Sequence, residues 1–345
     1  MKRLVEDLCA PECAGRGPGT PGGIRARGLV RDALRRAGVD PVEQPIAVKG
    51  AANLVATIPG DVDRWVLVGA HVDHLGGTAK LFYPGADDNA AAVAILVEIA
   101  RSLARTRPAG RGVVLAVFDA EEQPHFLNGS MGSAYYAKHA AAIGPAIEKI
   151  DFMLCMDLVG HSLGPEGIPD SVRSTLFALG AERSAGTSAI VEELAISEPG
   201  LVVRPADAEI IPPLSDYDAF WRRNIPFLFL TSGRSAQYHT PEDTPDRLDW
   251  AKMARTARWL ERFVRRTCAR SEDRIVWCPD GRDDRMTLRS FRDLVAPLAL
   301  VSPLAAGALA RAKELLDACD AKGRLPAGLA EAPGELVLGL ERALA

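Results

Sequence analysis

The 345-residue sequence contains no C-x-x-C pair, no internal repeat, no low-complexity block and no excess of basic charge. Its six cysteines are scattered, and only Cys9 and Cys13 sit close together, so neither a disulfide framework nor a thiolate zinc site is expected. With 41 Lys and Arg against 45 Asp and Glu, the formal charge is −4 and the pI near 5.9. That leaves no basic footprint for nucleic acid. The N-terminal MKRLVEDLCAPECAGRG lacks an apolar h-region, which gives the expectation of a cytoplasmic protein, or of a secreted one were the chain a processed form. The longest uncharged run, LVAPLALVSPLAAGALA at 294–310, is interrupted by prolines and a glycine. It reads as a packed or partner-covering helical hairpin rather than a membrane span, and no membrane association is expected.

What is present is an ordinary globular composition, 48% hydrophobic and 25% charged. Residues 23–38 have helical periodicity and end at Gly38. NLVATIPG (53–60) and WVLVGAH (65–71) read as neighbouring strands, followed by a buried helix over 89–105 and a strand over 112–120. A helix over 132–143, strands over 151–160 and 225–232, and a closing helix over 250–267 complete the series. Continuous apolar strands alternating with helices predict an α/β fold of three αβα layers, its sheet mostly parallel and covered on both faces. Residues 1–269 are read as this α/β unit and 270–345 as a helical C-terminal extension, with helices near 286–296, 303–320 and 333–344.

Such sheets present functional side chains at the carboxyl ends of their strands. There stand His71-Val72-Asp73, Glu121-Glu122, Asp157 and, after a short loop, Tyr238-His239. The loop entering the buried helix holds Gly85-Ala86-Asp87-Asp88-Asn89. Imidazole and carboxylate are the donor set for zinc, and a two-metal site needs a bridging carboxylate with terminal ligands on each side. In His71-x-Asp73, residues i and i+2 of a strand share a face, so Asp73 is expected to orient His71 rather than bind metal. Adjacent glutamates point in different directions; one is expected to be a ligand and the other a free carboxylate that takes a proton from water. His74, His125, His139 and His161 are read as surface, loop or hydrogen-bonded histidines. Cys155 is read as a small core residue.

The segments AHVDHLG (70–76), GADDNAAAVAILVE (85–98), FDAEEQ (118–123), CMDLVG (155–160), SDYDAFWRRNIPFLFL (215–230) and YHTPEDTPD (238–246) together resemble the cocatalytic di-zinc aminopeptidase family. Bacterial leucine aminopeptidases, aminopeptidase Y, glutamate carboxypeptidase II and the glutaminyl cyclases belong to it. The resemblance runs over about residues 5–268 in order and implies a mixed sheet of the phosphorylase/hydrolase type. It implies two Zn2+ per chain, with His71 and Asp157 on one, Glu122 and His239 on the other, and Asp87 as the bridge. Glu121 would be the general base, Asp88 would have only a supporting role, Tyr238 would stand near the tetrahedral intermediate, and Asp216 would support the site. The implied reaction is hydrolysis of the N-terminal residue from a peptide with a free amino terminus.

Two features depart from the family pattern. The loop Gln123–Ser130 is longer and bulkier than the family's usual run, and the extension after 270 has no counterpart in the usual catalytic domain. That extension is a candidate lid, a homo-oligomer interface or packing on the back of the sheet. Among rivals, the carboxypeptidase G2-like enzymes insert a domain of roughly a hundred residues before the last histidine, whereas Asp157 and His239 lie only 82 positions apart. A glutaminyl cyclase-like single-zinc acyl transferase and a non-catalytic binding protein on the same fold are the remaining alternatives.

Overall fold

Eight strands form one sheet in a computed structural model that describes residues 1–78 and 80–344. The strands are β1 (Val42–Pro45), β2 (Ala52–Ile58), β3 (Val62–His71), β4 (Arg111–Phe118), β5 (Ile150–Met156), β6 (Thr175–Leu179), β7 (Val202–Ala206) and β8 (Phe227–Thr231). Their spatial order is β1-β2-β4-β3-β5-β8-β6-β7. The four central strands β4, β3, β5 and β8 run parallel, while the β1–β2, β2–β4 and β6–β8 pairs are antiparallel. The carboxyl ends of the central four therefore meet along one edge.

β2 and β3 follow one another in the chain but are not neighbours in the sheet, because β4 lies between them. The residues that separate them are too few for a parallel crossover, and β2 instead pairs antiparallel with β4. β6 and β7 were not expected from the sequence. Each has only five residues, and β7 carries both Arg204 and Pro205, which hide its strand pattern.

The helices are α1 (Lys2–Leu8), α2 (Pro21–Arg36), α3 (Ala92–Arg105), α4 (Gly132–His139), α5 (Asp170–Arg173), α6 (Thr187–Leu194), α7 (Asp218–Trp221), α8 (Trp250–Cys268), α9 (Asp284–Val295), α10 (Pro303–Ala318) and α11 (Ala332–Leu344). α2 starts where its sequence says it should. Thr20 accepts from the Gly23 N–H at 3.1 Å and Pro21 occupies the first turn, a cap whose loss costs about 1 kcal/mol. α3 begins three residues later than the periodicity predicts, because Ala86–Ala91 forms a wide turn with non-helical backbone at Asp88 and Asn89.

Alternation along the strands divides the core into two layers. Val66, Val68 and Ala70 of β3 face one cluster with α1, α2, α3, α6 and α8, while Leu67 faces the other with Tyr136 of α4 and Phe220 of α7. On α8, Met253, Ala257, Leu260 and Val264 are buried at helical spacing against the sheet and α3.

Beyond residue 269 the chain crosses the sheet with Ile275 in one core layer and Trp277 in the other. α9 then packs beside β7: Asp207 accepts from the Asp283 N–H at 3.0 Å, and Thr287 Oγ1 accepts from the Asp207 N–H at 2.8 Å. α9 and α10 form the expected hairpin, whose tip exposes Leu300, Val301 and Leu304. No helix among the described residues is long and apolar enough to cross a membrane.

Candidate metal centre

His71 is the last residue of β3 and is 1% exposed. Its Nε2 lies 3.5 Å from Asp157 Oδ1, 3.4 Å from Asp88 Oδ1 and 3.8 Å from Glu121 Oε2. A second group stands beside it. Glu122 Oε1 is 2.9 Å from His74 Nδ1 and 3.3 Å from His239 Nε2, and His239 Nε2 is 3.2 Å from Asp88 Oδ2. The ligand atoms thus fall into two clusters, His71–Glu121–Asp157 and His74–Asp88–Glu122–His239. Asp88 stands between them, with Oδ1 toward the first and Oδ2 toward the second.

This arrangement corrects the sequence reading at the Asp-Asp-Asn run, where the bridging place was expected at Asp87. The Asp87 carboxylate is turned away. Its Oδ1 accepts from the backbone N–H groups of Gly160 and His161 at 2.7 and 3.2 Å, and its Oδ2 lies 2.6 Å from His161 Nδ1. The reason is the backbone of the wide turn, which is extended at Asp88 (φ −106°, ψ 90°) and sends the two neighbouring side chains to opposite sides. Burial opposes the charge on Asp87, yet the facing His161 and the Gly160 N–H outweigh it and lower its pKa.

Several buried groups hold the turn in this shape. Asp243 accepts from the N–H of Asp87 through Oδ1 at 2.9 Å and from that of Asp88 through Oδ2 at 3.1 Å. The Asn89 side-chain amide donates to Met156 O at 2.9 Å. Arg16, fully buried, donates to the carbonyls of Val72, Gly85 and Asp88 at 2.8, 2.8 and 3.3 Å and also to that of Pro84. At Gly85, where φ is +58°, a Cβ would meet the Asp88 carbonyl oxygen at 2.2 Å, so no side chain fits.

Asp73 also takes a different partner from the one expected. His71 Nδ1 is 3.2 Å from the backbone carbonyl of Asp73 and 3.7 Å from its carboxylate. The carboxylate instead accepts from the N–H groups of Glu121 and Glu122, each at 3.1 Å. One residue therefore orients the histidine with its main chain and the glutamate pair with its side chain. Backbones with positive φ flank the centre at Ala120 (58°), Leu158 (55°) and His239 (57°), a conformation that costs energy outside glycine and gathers at functional sites.

The Tyr238 ring stacks on His239 with centroids 3.8 Å apart. Asp216 is fully buried, and burial raises its pKa to about 6. It lies close enough to Glu121 for its charge to raise the Glu121 pKa.

Electrostatics sharpen the difference between the two glutamates. Burial raises the pKa of Glu121 well above the usual carboxylate range, whereas the neighbouring His239 and His74 imidazoles outweigh burial at Glu122 and lower it. Burial disfavours imidazolium at His71 and His239, but Glu121 and Asp157 outweigh it at the first and Asp88 and Glu122 at the second, whose pKa rises to about 9. A field that favours imidazolium favours any cation placed there. His71 Nε2, Asp157 Oδ1 and His239 Nε2 are buried without a well-formed hydrogen bond, as metal donors would be. The residues present fit divalent metal.

His74, read from the sequence as a surface, loop or hydrogen-bonded histidine, joins the second cluster, and Arg16 and Asp243 are further residues of the site to which the sequence assigns no role. His74 sits three residues after His71 in the HVDH stretch, and the spacing alone could have marked it. Asp243 lies in the quoted YHTPEDTPD segment, without a role assigned there. Of the other histidines, His125 Nδ1 meets Ser130 Oγ at 2.8 Å in its loop, and His139 packs on Tyr135 at the end of α4.

Residues 53–264 match peptidase family M28, more than half of the chain. The chain belongs to peptidase family M28. It is therefore a member of a zinc metallopeptidase family of hydrolases. Among related sequences, the uncharacterized Escherichia coli protein YfbL is 29% identical over 67% of this chain and 76% of its own length. A probable zinc metalloprotease of Pyrenophora tritici-repentis is 30% identical over 42% of this chain, and a probable leucine aminopeptidase of Arthroderma otae is 26% identical over 61%. The matches span only 32% and 56% of those two relatives' lengths.

Among solved structures, the LapA aminopeptidase of Legionella pneumophila superposes with a TM-score of 0.64 at 17% identity, covering 79% of this chain and 73% of that one. The glutaminyl cyclase of Porphyromonas gingivalis superposes at 0.59 with 20% identity, covering 77% and 96%. These likenesses establish the shared fold.

Proposed function

We propose that this chain is a two-metal aminopeptidase that releases the N-terminal residue of peptides. The observation that carries the reading is the Asp88 carboxylate, with one oxygen toward His71 and the other toward His239. His71 and Asp157 would hold one zinc, Glu122 and His239 the other, and Asp88 would span both. His74, hydrogen-bonded to Glu122, would fix that ligand's orientation or join it. Two zinc ions held there would acidify a water and polarise the scissile carbonyl.

The remaining work falls to the chain's own side chains. Glu121 has a raised pKa, an unpartnered Oε1 and a backbone N–H fixed by Asp73, which suits it to take a proton from the attacking water. It would then return that proton to the leaving amine. Tyr238, stacked on His239, lines the same cavity and would donate to a developing oxyanion. The acidic surroundings would receive the substrate's α-ammonium group, which confines cleavage to the first peptide bond.

The test is metal analysis of the purified protein together with hydrolysis of aminoacyl-p-nitroanilides. Two zinc equivalents and turnover are expected. The shared fold with glutaminyl cyclases supports a second reading, acyl transfer with one zinc. One equivalent of zinc with cyclisation of an N-terminal glutaminyl peptide would favour it.

A further inference from the structure

A cavity of about 330 Å³ opens beside the candidate metal centre, with Glu121, Asp157 and His239 at its polar end. Its other walls are mostly apolar, and their apolar residues come from two sources. Phe126, Leu179 and Phe229 belong to the sheet and its loops, within residues 53–264. Phe291 and Leu294 of α9, and Val337, Leu340 and Leu344 of α11, lie beyond the segment that matches the family.

On α11, Val337, Leu340, Glu341 and Leu344 recur at i, i+3, i+4 and i+7 and line the cavity together with Leu338, so one helix face looks into it. The helix is anchored to the site by charge. Arg234 donates from Nε and Nη2 to the two carboxylate oxygens of Glu341 at 2.8 and 2.9 Å. The same guanidinium lies over the Tyr238 ring, 5.8 Å from its centroid. The extension is thus fastened to the loop that carries Tyr238 and His239. Such a bidentate pair fixes direction as well as distance.

We propose that α9 and α11 complete the substrate pocket. On the aminopeptidase reading, the pocket takes a large apolar side chain, aromatic or branched aliphatic, from the residue whose carbonyl reaches the metal centre. An alanine side chain would leave most of the cavity unfilled and forgo the contacts of its apolar walls. A charged side chain would be stripped of water with no partner on the apolar walls. Of the charged lining residues, Glu341 and Arg234 are committed to each other.

Binding of two zinc-directed probes tests this without relying on turnover. Calorimetry would compare phenylalanine hydroxamate with alanine hydroxamate on the zinc-loaded full chain and on Leu340→Trp and Val337→Trp, which fill the pocket from α11. The full chain should bind the phenylalanine probe at least about tenfold more tightly, as expected when an apolar group fills an apolar pocket. Each folded variant, checked by its thermal melt, should lower that ratio about fivefold or more. A ratio near one in the unaltered chain overturns the proposal, and so does an unchanged ratio in either folded variant. Should the ratios behave as expected while no aminoacyl substrate is cleaved, the pocket stands and the aminopeptidase reading falls.

Discussion

Asp87 Oδ2 lies 2.6 Å from His161 Nδ1, so the first aspartate of the Asp-Asp-Asn run is tied to the loop after β5. Its neighbour Asp88 is left to face both histidine clusters. The two residues are adjacent and chemically identical, yet their surroundings separate their expected roles. Asp88→Asn is expected to lower bound zinc by at least one equivalent and kcat/KM by about 1,000-fold or more. Asp87→Asn should weaken zinc affinity only about 10–100-fold, the range for a group that supports a ligand. Metal analysis beside steady-state kinetics decides the ranking, and the reverse order would restore Asp87 as the bridge.

The Asp73 carboxylate accepts from both glutamate N–H groups, so an amide in its place presents one acceptor and one misplaced donor. Asp73→Asn should lower kcat about 10–100-fold with little change in KM, because the proton carrier shifts while substrate contacts remain. Loss confined to KM would mean that Asp73 does not position Glu121.

His74 is fully buried and its Nδ1 meets Glu122 Oε1 at 2.9 Å. His74→Ala should lower zinc affinity about 10–100-fold as read by competition with a chelator. His74→Gln, which can still donate to Glu122, should recover part of that loss. Equal zinc affinity in the parent and in His74→Ala would leave His74 a core residue.

Lys252 is fully buried beneath the Asp87 loop, and its Nζ donates to His161 O at 2.7 Å and to Ser232 Oγ at 2.8 Å. Burial lowers its pKa from 10.5 to about 7, against the pull of Asp87 and Asp249. Between those values the unfolded chain binds the proton that the folded chain has released. The contribution of Lys252 to stability therefore rises with pH across that window, by about 1.4 kcal/mol per pH unit at most. Urea midpoints at pH 7 and 9 should show the parent gaining stability relative to Lys252→Met as pH rises. A flat or falling difference would contradict this.

The parts of the fold legible in the sequence were those with strong local patterns. β3, β4, β5 and β8 are largely apolar runs, α3 and α8 are long and periodic, and the strands end at His71 or lead directly into the glutamate pair and Asp157. Less visible were features set by distant partners. β7 contains Arg204, buried and bonded to Thr175 Oγ1 at 3.2 Å, so its pattern is broken by a charge that only the fold explains. The choice between Asp87 and Asp88 depends on a backbone turn held by Asp243 from more than 150 residues away. His74 reads in the sequence as a surface, loop or hydrogen-bonded histidine, and only the fold brings Glu122 and His239 beside it. The extension's helices were readable, but the apolar face that α11 turns toward the metal centre was not.

One rate separates Glu121 as the proton carrier from Glu122 as a metal ligand. That rate is kcat of zinc-saturated Glu121→Gln on leucyl-p-nitroanilide, measured beside the parent. Full zinc occupancy and a kcat lowered about 100- to 10,000-fold are expected, the usual worth of a positioned general base. Turnover equal to the parent's at equal zinc content would contradict that role.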